Sequence, residues 1–527
     1  MVMILRILLA FRNYILLPIV VISLTSCLQQ NTDNVSSSAT EVYEATQSQP
    51  SINVGEITAA SKGTPKATEL AIASPTIGRF GEEEATITTL AKPAPTVSLS
   101  TPTPFPEESS PTVDVRLISI RLSGDSANAS SEAPTVSSRG DIVAFVSNAS
   151  DLVENDNDDN LSDIFIHEIK SGSMRLISTT NNGSESIYDH GVIYERGGYV
   201  NLSSDGSYLV FQSYAQDLIE AESNQPKIFL YRIEQEELQL LYENVDGPSI
   251  WPMISENGKF VVFASPSHQQ FAEDAPLNQI ILLDRELESI RLITQAGDGE
   301  PANGWSGYSP PVITDDGRFV AFDSIATNLS TIDSEDTIDI FLYDGKNETI
   351  QLISQNNDGM PANGDSKSPA ISADGRYIVF TSTADNLVEG VHNQESNVFL
   401  RDTVNEETIM ISKGLNGQPA NGASYNPDIS NDGNLIVFQS EASNLVSHDP
   451  NNAQDIFIFD VESNTMLLVS RTIDGKPANN QSVSPAISGD GTTVVYQSLA
   501  SNIVSYGTNE TWDIFAVSVP SLFEEQD

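Results

Sequence analysis

The sequence predicts an all-β fold: a seven-bladed β-propeller of four-stranded antiparallel blades, closed by a strand from the N-terminal side and preceded by a disordered tether. Three observations carry this. A strand–turn–strand stretch, clearest at Ser368 to Ser382, recurs around Gly140, Gly206, Gly258, Gly317, Gly375, Gly433 and Gly491. From Gly258 the intervals are 59, 58, 58 and 58 residues, and a fixed period of that length marks a repeat architecture. The last repeat stops one strand short, and a strand of the missing kind stands before the first repeat.

The chain opens with Arg6 and Arg12 around an apolar run that continues through Ile15 to Ile22, followed by Leu24-Thr25-Ser26-Cys27. A positive flank, a short apolar segment and small residues make an export signal. The sole cysteine stands where the small-residue motif ends. The motif resembles the lipobox of bacterial lipoproteins, and the resemblance implies that Cys27 is acylated and becomes the mature N-terminus. An uncleaved anchor is the other reading; both attach the chain to a membrane. Residues 1–27 are therefore read as lipoprotein signal peptide and lipobox.

Residues 28–112 are rich in Ser, Thr, Ala and Pro, as in Ser98 to Pro104, and lack any sustained apolar period. Such a segment buries no core and is expected to be disordered or extended. As a flexible coil it spans roughly 50 Å. It serves as a stalk or as a plain spacer.

Residues 113–522 hold the repeats, and 523–527 form an acidic tail. In the fifth repeat, Pro369 to Ser372 and Arg376 to Ser382 flank an Asp374-Gly375 turn. Ile378 and Phe380 alternate with Tyr377 and Val379, so this second strand is apolar on both sides and expected to be buried on both. Asn397 to Asp402 is the third strand and Thr408 to Ser412 the fourth. Four short strands with turn signals between them, repeated, describe a propeller blade. The third strand returns as Asp163-Ile164-Phe165-Ile166, Asp339-Ile340-Phe341-Leu342, Asp455-Ile456-Phe457-Ile458 and Asp513-Ile514-Phe515-Ala516. Val115 to Ile120 resembles the fourth strands and is expected to pair with Asp513 to Val519, which removes two free edges.

The Ser-x-Asp-Gly hairpin followed by (Asp/Asn)-(Ile/Val)-Phe resembles the TolB-like, WD-repeat-related propellers of bacterial proteins, over nearly all of 113–522. No α/β domain precedes the propeller here, unlike TolB itself. The resemblance implies the fold and no single activity.

Strand alternation puts the short Asp-Gly turns on one face and the long second–third and fourth–first connections on the other, the expected binding side. An insertion brings Tyr188, His190, Tyr194 and Tyr199 to that side. With Trp251 and Trp305 they make a candidate binding face for a protein or a sugar, or they fill the loop core. The Asp-Gly-x-Pro-Ala-Asn loops, being repeated, read as structural. Acidic loops before the third strands offer Asp333, Glu335, Asp339, Asp449, Asn451 and Asp455, either as calcium ligands or as self-capped Asx turns.

The formal charge is −48, from 73 acidic and 25 basic residues. That surface repels phosphates, so nucleic acid is excluded as a partner. One cysteine allows no disulfide framework. Gly124-Asp125-Ser126 is the fourth–first loop in degenerate form rather than a nucleophile block. No G-x-S-x-G, H-E-x-x-H or C-x-x-C motif is present, and the five histidines share no metal spacing. No catalytic residue is assigned. The expectation is a monomeric, lipid-anchored binding propeller of the cell envelope, at the surface or in the periplasm, with no required cofactor. A carbohydrate-active enzyme working in the central funnel and a TolB-like envelope scaffold are the alternatives.

Overall fold

The computed structural model describes residues 113–523 apart from 155, 157–160, 181–185, 187–199, 220–223, 245–246, 267–277, 333–336, 392, 448, 450, 452 and 506–509. Among the described residues there are seven four-stranded antiparallel sheets, each one repeat. Blade 5 is built from Ser366–Ile371, Tyr377–Ser382, Asn397–Asp402 and Glu407–Met410, in that spatial order. Blades 1 to 4 lie before it and blades 6 and 7 after it in the chain. First strands of neighbouring blades approach one another, so they line the axis and the fourth strands form the rim.

The ring closes as the sequence predicts. Val115–Leu117 pairs with the last strand, Asp513–Ser518, in the register Val115↔Val517, Arg116↔Ala516 and Leu117↔Phe515. Ile118 N–H to Ile514 C=O (2.7 Å) and Ser518 N–H to Asp114 C=O (2.9 Å) extend the ladder. A short helix, Val519–Phe523, follows, which no signal in the sequence indicated. Its Val519 and Leu522 are buried in the core between blades 6 and 7.

The core lies between blades. Phe380 of blade 5 stacks on Phe399 within its own sheet, with ring centroids 5.9 Å apart, and Phe438 on Phe457 repeats this in blade 6 at 5.9 Å. Phe438 and Phe457 also share a cluster with Val398, Leu400 and Ile411 of blade 5. Burying each such ring stabilises by about 1.5–3 kcal/mol.

The Ser-x-Asp-Gly turn also joins blades. Ser372 Oγ donates to Asp374 Oδ1 (2.7 Å) and accepts from Tyr377 N–H (3.0 Å), while Gly375 N–H reaches Ser372 C=O (3.0 Å). Gly375 has φ +74°. A Cβ there would lie 2.2 Å from Phe319 Cδ2 of blade 4. The turn needs glycine for its backbone angle and for this seat on a neighbour's ring.

Candidate binding faces of the ring

The axial channel is closed on the turn face. The closing residues stand between Ser and Asp-Gly of the turn motif. Ser204 Oγ of blade 2 donates to Asp315 Oδ1 of blade 4 (2.5 Å), and Asn431 Nδ2 of blade 6 donates to Asp315 Oδ2 (3.1 Å). These bonds join blades that are not neighbours, so they cross the axis. Ser138 N–H to Ser204 C=O (2.9 Å), Ala373 N–H to Asn431 C=O (3.0 Å) and Asn431 N–H to Gly489 C=O (2.8 Å) complete the plug.

A small polar cavity of about 160 Å³ lies on the axis beside these residues, with Asn201, Asp315 and Asp428 in its wall. Asp428 accepts Ile429 N–H (2.9 Å) and, in the next blade, Ile487 N–H (2.9 Å). Asn201 takes Ile254 N–H (3.1 Å) in the same way. Asp428 keeps some contact with the channel space, yet protein surrounds it. That burial pushes its carboxyl up to about 6 against the two amide bonds.

The opposite face is fastened loop to loop. Asn363 N–H donates to Asn386 Oδ1 (3.0 Å), and Asp385 N–H donates back to Asn363 Oδ1 (3.0 Å). Asn303 with Asn328, Asn421 with Asn444 and Asn479 with Asn502 repeat the exchange. Each pair ties a fourth–first loop to the adjoining second–third loop. The Pro-Ala-Asn loops are therefore structural, as their repetition indicates. Sequence reading missed the partner, the Ala-x-Asn-Leu segment after the second strand; its recurrence at Ala326, Ala384 and Ala442 was the available signal.

Another inter-blade bond sits in the first strands. Ser368, Asn426, Ser484, Ala133 and Trp251 adopt left-handed φ between 47° and 57°, each just before a proline. Several of their amides reach the preceding blade: Ser484 N–H to Gln439 Oε1 (2.7 Å), Ala133 N–H to Gln497 Oε1 (2.8 Å) and Trp251 N–H to Gln212 Oε1 (2.7 Å). The bulge shifts the strand register between, for example, Lys367 and Ala370.

Of the expected aromatic face, Tyr188, His190, Tyr194 and Tyr199 lie outside the described residues. Trp251 is half-buried and packs on the core of blades 3 and 4. Trp305 stands at the loop-face end of the first strand of blade 4 and is 43% exposed. Its ring lies 6.3 Å from that of Tyr308, tilted by 46°. Burial and the charges of Asp323 and Asp365 push the Tyr308 phenol up. Lys367 Nζ donates to Asp365 Oδ2 (3.1 Å) in the next blade. Trp305, Tyr308, Asp365 and Lys367 thus bring an aromatic pair and an ion pair to one sector of the loop face.

Of the acidic loop residues, Asp333 and Glu335 lie outside the described residues. Asp339 Oδ1 accepts Ser354 Oγ (2.6 Å), and Asp455 Oδ1 accepts Ser470 Oγ (2.6 Å), each tying a third strand to its fourth. Ser126 Oγ donates to Asp513 Oδ1 and Oδ2 (2.8 Å each), a strut in the loop. Among the described residues no group of three or more His, Cys, Asp or Glu is placed to hold a metal. No helix among them is long and apolar enough to cross a membrane.

No protein-family model matches the chain, and no curated protein matches it. Solved structures similar in fold include an oligogalacturonate lyase from Vibrio parahaemolyticus, 12% identical with TM-score 0.46, covering 78% of this chain and 97% of that one. The β-propeller domain of the Trilobed protease from Pyrococcus furiosus is 14% identical with TM-score 0.43, covering 74% and 94%. TolB from Acinetobacter baumannii is 13% identical with TM-score 0.35, covering 68% and 76%. At such identities the likeness is one of propeller fold and carries nothing about activity.

Proposed function

We propose that the protein is an extracytoplasmic binding propeller, tethered to a membrane through Cys27 and a stalk, which recognises a protein or glycan on its loop face and performs no chemistry of its own. The observation behind this reading is the inequality of the two faces. The turn face ends in a plug of hydrogen bonds that cross the axis. The loop face is held rigid by asparagine pairs and presents Trp305 and Tyr308 beside Asp365 and Lys367. A half-exposed indole next to a phenol and an ion pair offers a stacking platform with polar groups at its margin.

The enzyme alternative needs two opposed carboxyls facing an open funnel. Asp428 has the raised pKa of a catalytic acid, but both its oxygens hold backbone amides beside the plugged end.

Glycan-array and pull-down experiments with the full chain test the proposal. Trp305→Ala is expected to weaken the captured interaction at least tenfold with an unchanged melting temperature, because the indole is half in solvent. Lys367→Ala is expected to weaken it less. Capture by Trp305→Ala equal to that by the native chain would remove this sector as the binding site.

A further inference from the structure

Between blades 6 and 7 lies a buried polar cluster that the loop-face site does not use. Six of the seven second strands carry Phe at one register position: Phe145, Phe211, Phe263, Phe322, Phe380 and Phe438. Blade 7 has Tyr496 there. It stacks on Phe515 (centroids 5.9 Å apart) like the others and shares a core cluster with Ile456, Ile458 and Val469 of blade 6. The residue is fully buried, and its hydroxyl has no hydrogen-bond partner. Burial, together with the nearby charge of Asp455, pushes the phenol far up.

Asp455 is fully buried as well. Its Oδ1 accepts Ser470 Oγ, while its Oδ2 is buried with no partner. Asp449, six residues earlier in the same loop, also has a buried oxygen without a partner, Oδ1. Burial pushes both carboxyls up, and the charge of Asp449 adds to the shift at Asp455, which reaches about 7. Three buried oxygens from two blades thus lack donors, where a single orphaned polar group already costs about 1–3 kcal/mol.

In blades 5 and 7 the equivalent third-strand residues are satisfied. In blade 5, Asn393 and Asn397 exchange amide hydrogen bonds at 3.2 and 3.0 Å, beneath Phe438. In blade 7, Asp513 takes the hydroxyls of Ser119 and Ser126, beneath Phe145. The third strand of blade 6 instead meets a phenol, which is itself short of a partner.

We propose that Asp449, Asp455 and Tyr496 hold a single Ca²⁺ between blades 6 and 7, with water completing the six to eight oxygens that the ion takes. The two carboxylates balance its charge and the phenol oxygen fills a position from the neighbouring blade. Asn451 is not a ligand. Its Oδ1 accepts Ala453 N–H (2.9 Å), its Nδ2 donates to Ala478 C=O (2.8 Å) and its side chain also bonds Asp455, so it shapes the loop that carries the two aspartates. A water alone would supply protons but no further positive charge to set beside that of Arg471. Arg471 acts on the phenol, so the ion belongs on the carboxylate side. Bound there, Ca²⁺ would couple two blades and stabilise the ring by mass action.

The test is thermal melting of the full chain, first stripped with EDTA and then titrated with CaCl₂. The native chain is expected to gain several degrees in saturating Ca²⁺. Asp449→Asn with Asp455→Asn is expected to melt cooperatively and to lose the gain. Tyr496→Phe restores the ring of the other six blades, so it folds, and it is expected to weaken the Ca²⁺ midpoint about three- to tenfold. Terbium substituted for Ca²⁺ is expected to luminesce on tyrosine excitation in the native chain, with that signal reduced in Tyr496→Phe. No gain in the native chain, or a full gain in the double variant, overturns the proposal; the second result would mean that surface carboxylates bind the ion. The outcome is independent of the Trp305 experiment.

Discussion

Individual carboxylates set how this protein answers to pH. Burial pushes Asp428 and Asp513 up to about 6 and Asp455 to about 7, each against its own hydrogen bonds. A carboxyl whose folded pKa lies above its unfolded value binds its proton more tightly in the folded state. The stability it contributes is complete below about pH 4 and is lost as pH rises through 6 to 7. Asp344 works in the opposite sense. Arg318, donating from Nε (2.9 Å) and Nη2 (2.8 Å), holds it at about 2, so its contribution is lost only as pH falls toward that value. In chelator, the melting temperature is expected to rise from pH 8 to pH 5 and to fall again below about pH 4. Relief of repulsion in a chain of charge −48 acts in the same direction over the upper range. A higher melting temperature at pH 8 than at pH 5 would show that these buried acids are not strained.

At the scale of the turn and strand, the recurrent Ser-x-Asp-Gly motif carries several duties that its composition reveals only in part. Asp-Gly announced the turn. The aromatic that follows was legible as strand, but its second role, as the surface on which the next blade's glycine rests, was not. Gly258 on Tyr208, Gly317 on Phe260, Gly375 on Phe319 and Gly433 on Tyr377 all show it. Two substitutions separate backbone from packing. Gly417 has φ +76° and open space where a Cβ would go, so Gly417→Ala is expected to cost about 1–2 kcal/mol. Gly375→Ala adds a collision with the half-buried ring of Phe319 and is expected to cost about 1–3 kcal/mol more. Equal losses of melting temperature would show that the ring contact yields freely. The bulge at Ser368, Asn426 and Ser484 escaped notice because left-handed backbone is ordinarily read from glycine. Here a serine or asparagine before proline takes it, and in blade 7 the inter-blade bond to Gln439 holds it there. Tyr496 escaped for a similar reason: on a strand it reads as one more aromatic, and only the facing carboxylate gives its hydroxyl meaning.

For the whole molecule, the near-constant period made blade number, strand order and closure readable, because each repeat buries its face only against the next. The partners of single side chains across blades were not readable, since they join residues one or more repeats apart and their spacing carries no local periodicity. The candidate binding sector shows the same division. Trp305 was legible as an aromatic on the loop face, whereas Tyr308, Asp365 and Lys367 emerge only when the first strands of blades 4 and 5 stand side by side. Closure is the premise for the rest, because the plug and the inequality of the two faces both depend on a ring with no gap between blades 7 and 1. Hydrogen exchange of the full chain tests it most directly. The amides of Ile118 and Ser518 are expected to exchange only with global unfolding, at the same rate as the central strands of blade 7. Exchange of these two amides far ahead of Tyr496 and Phe515 would mean that the N-terminal strand does not lock the ring.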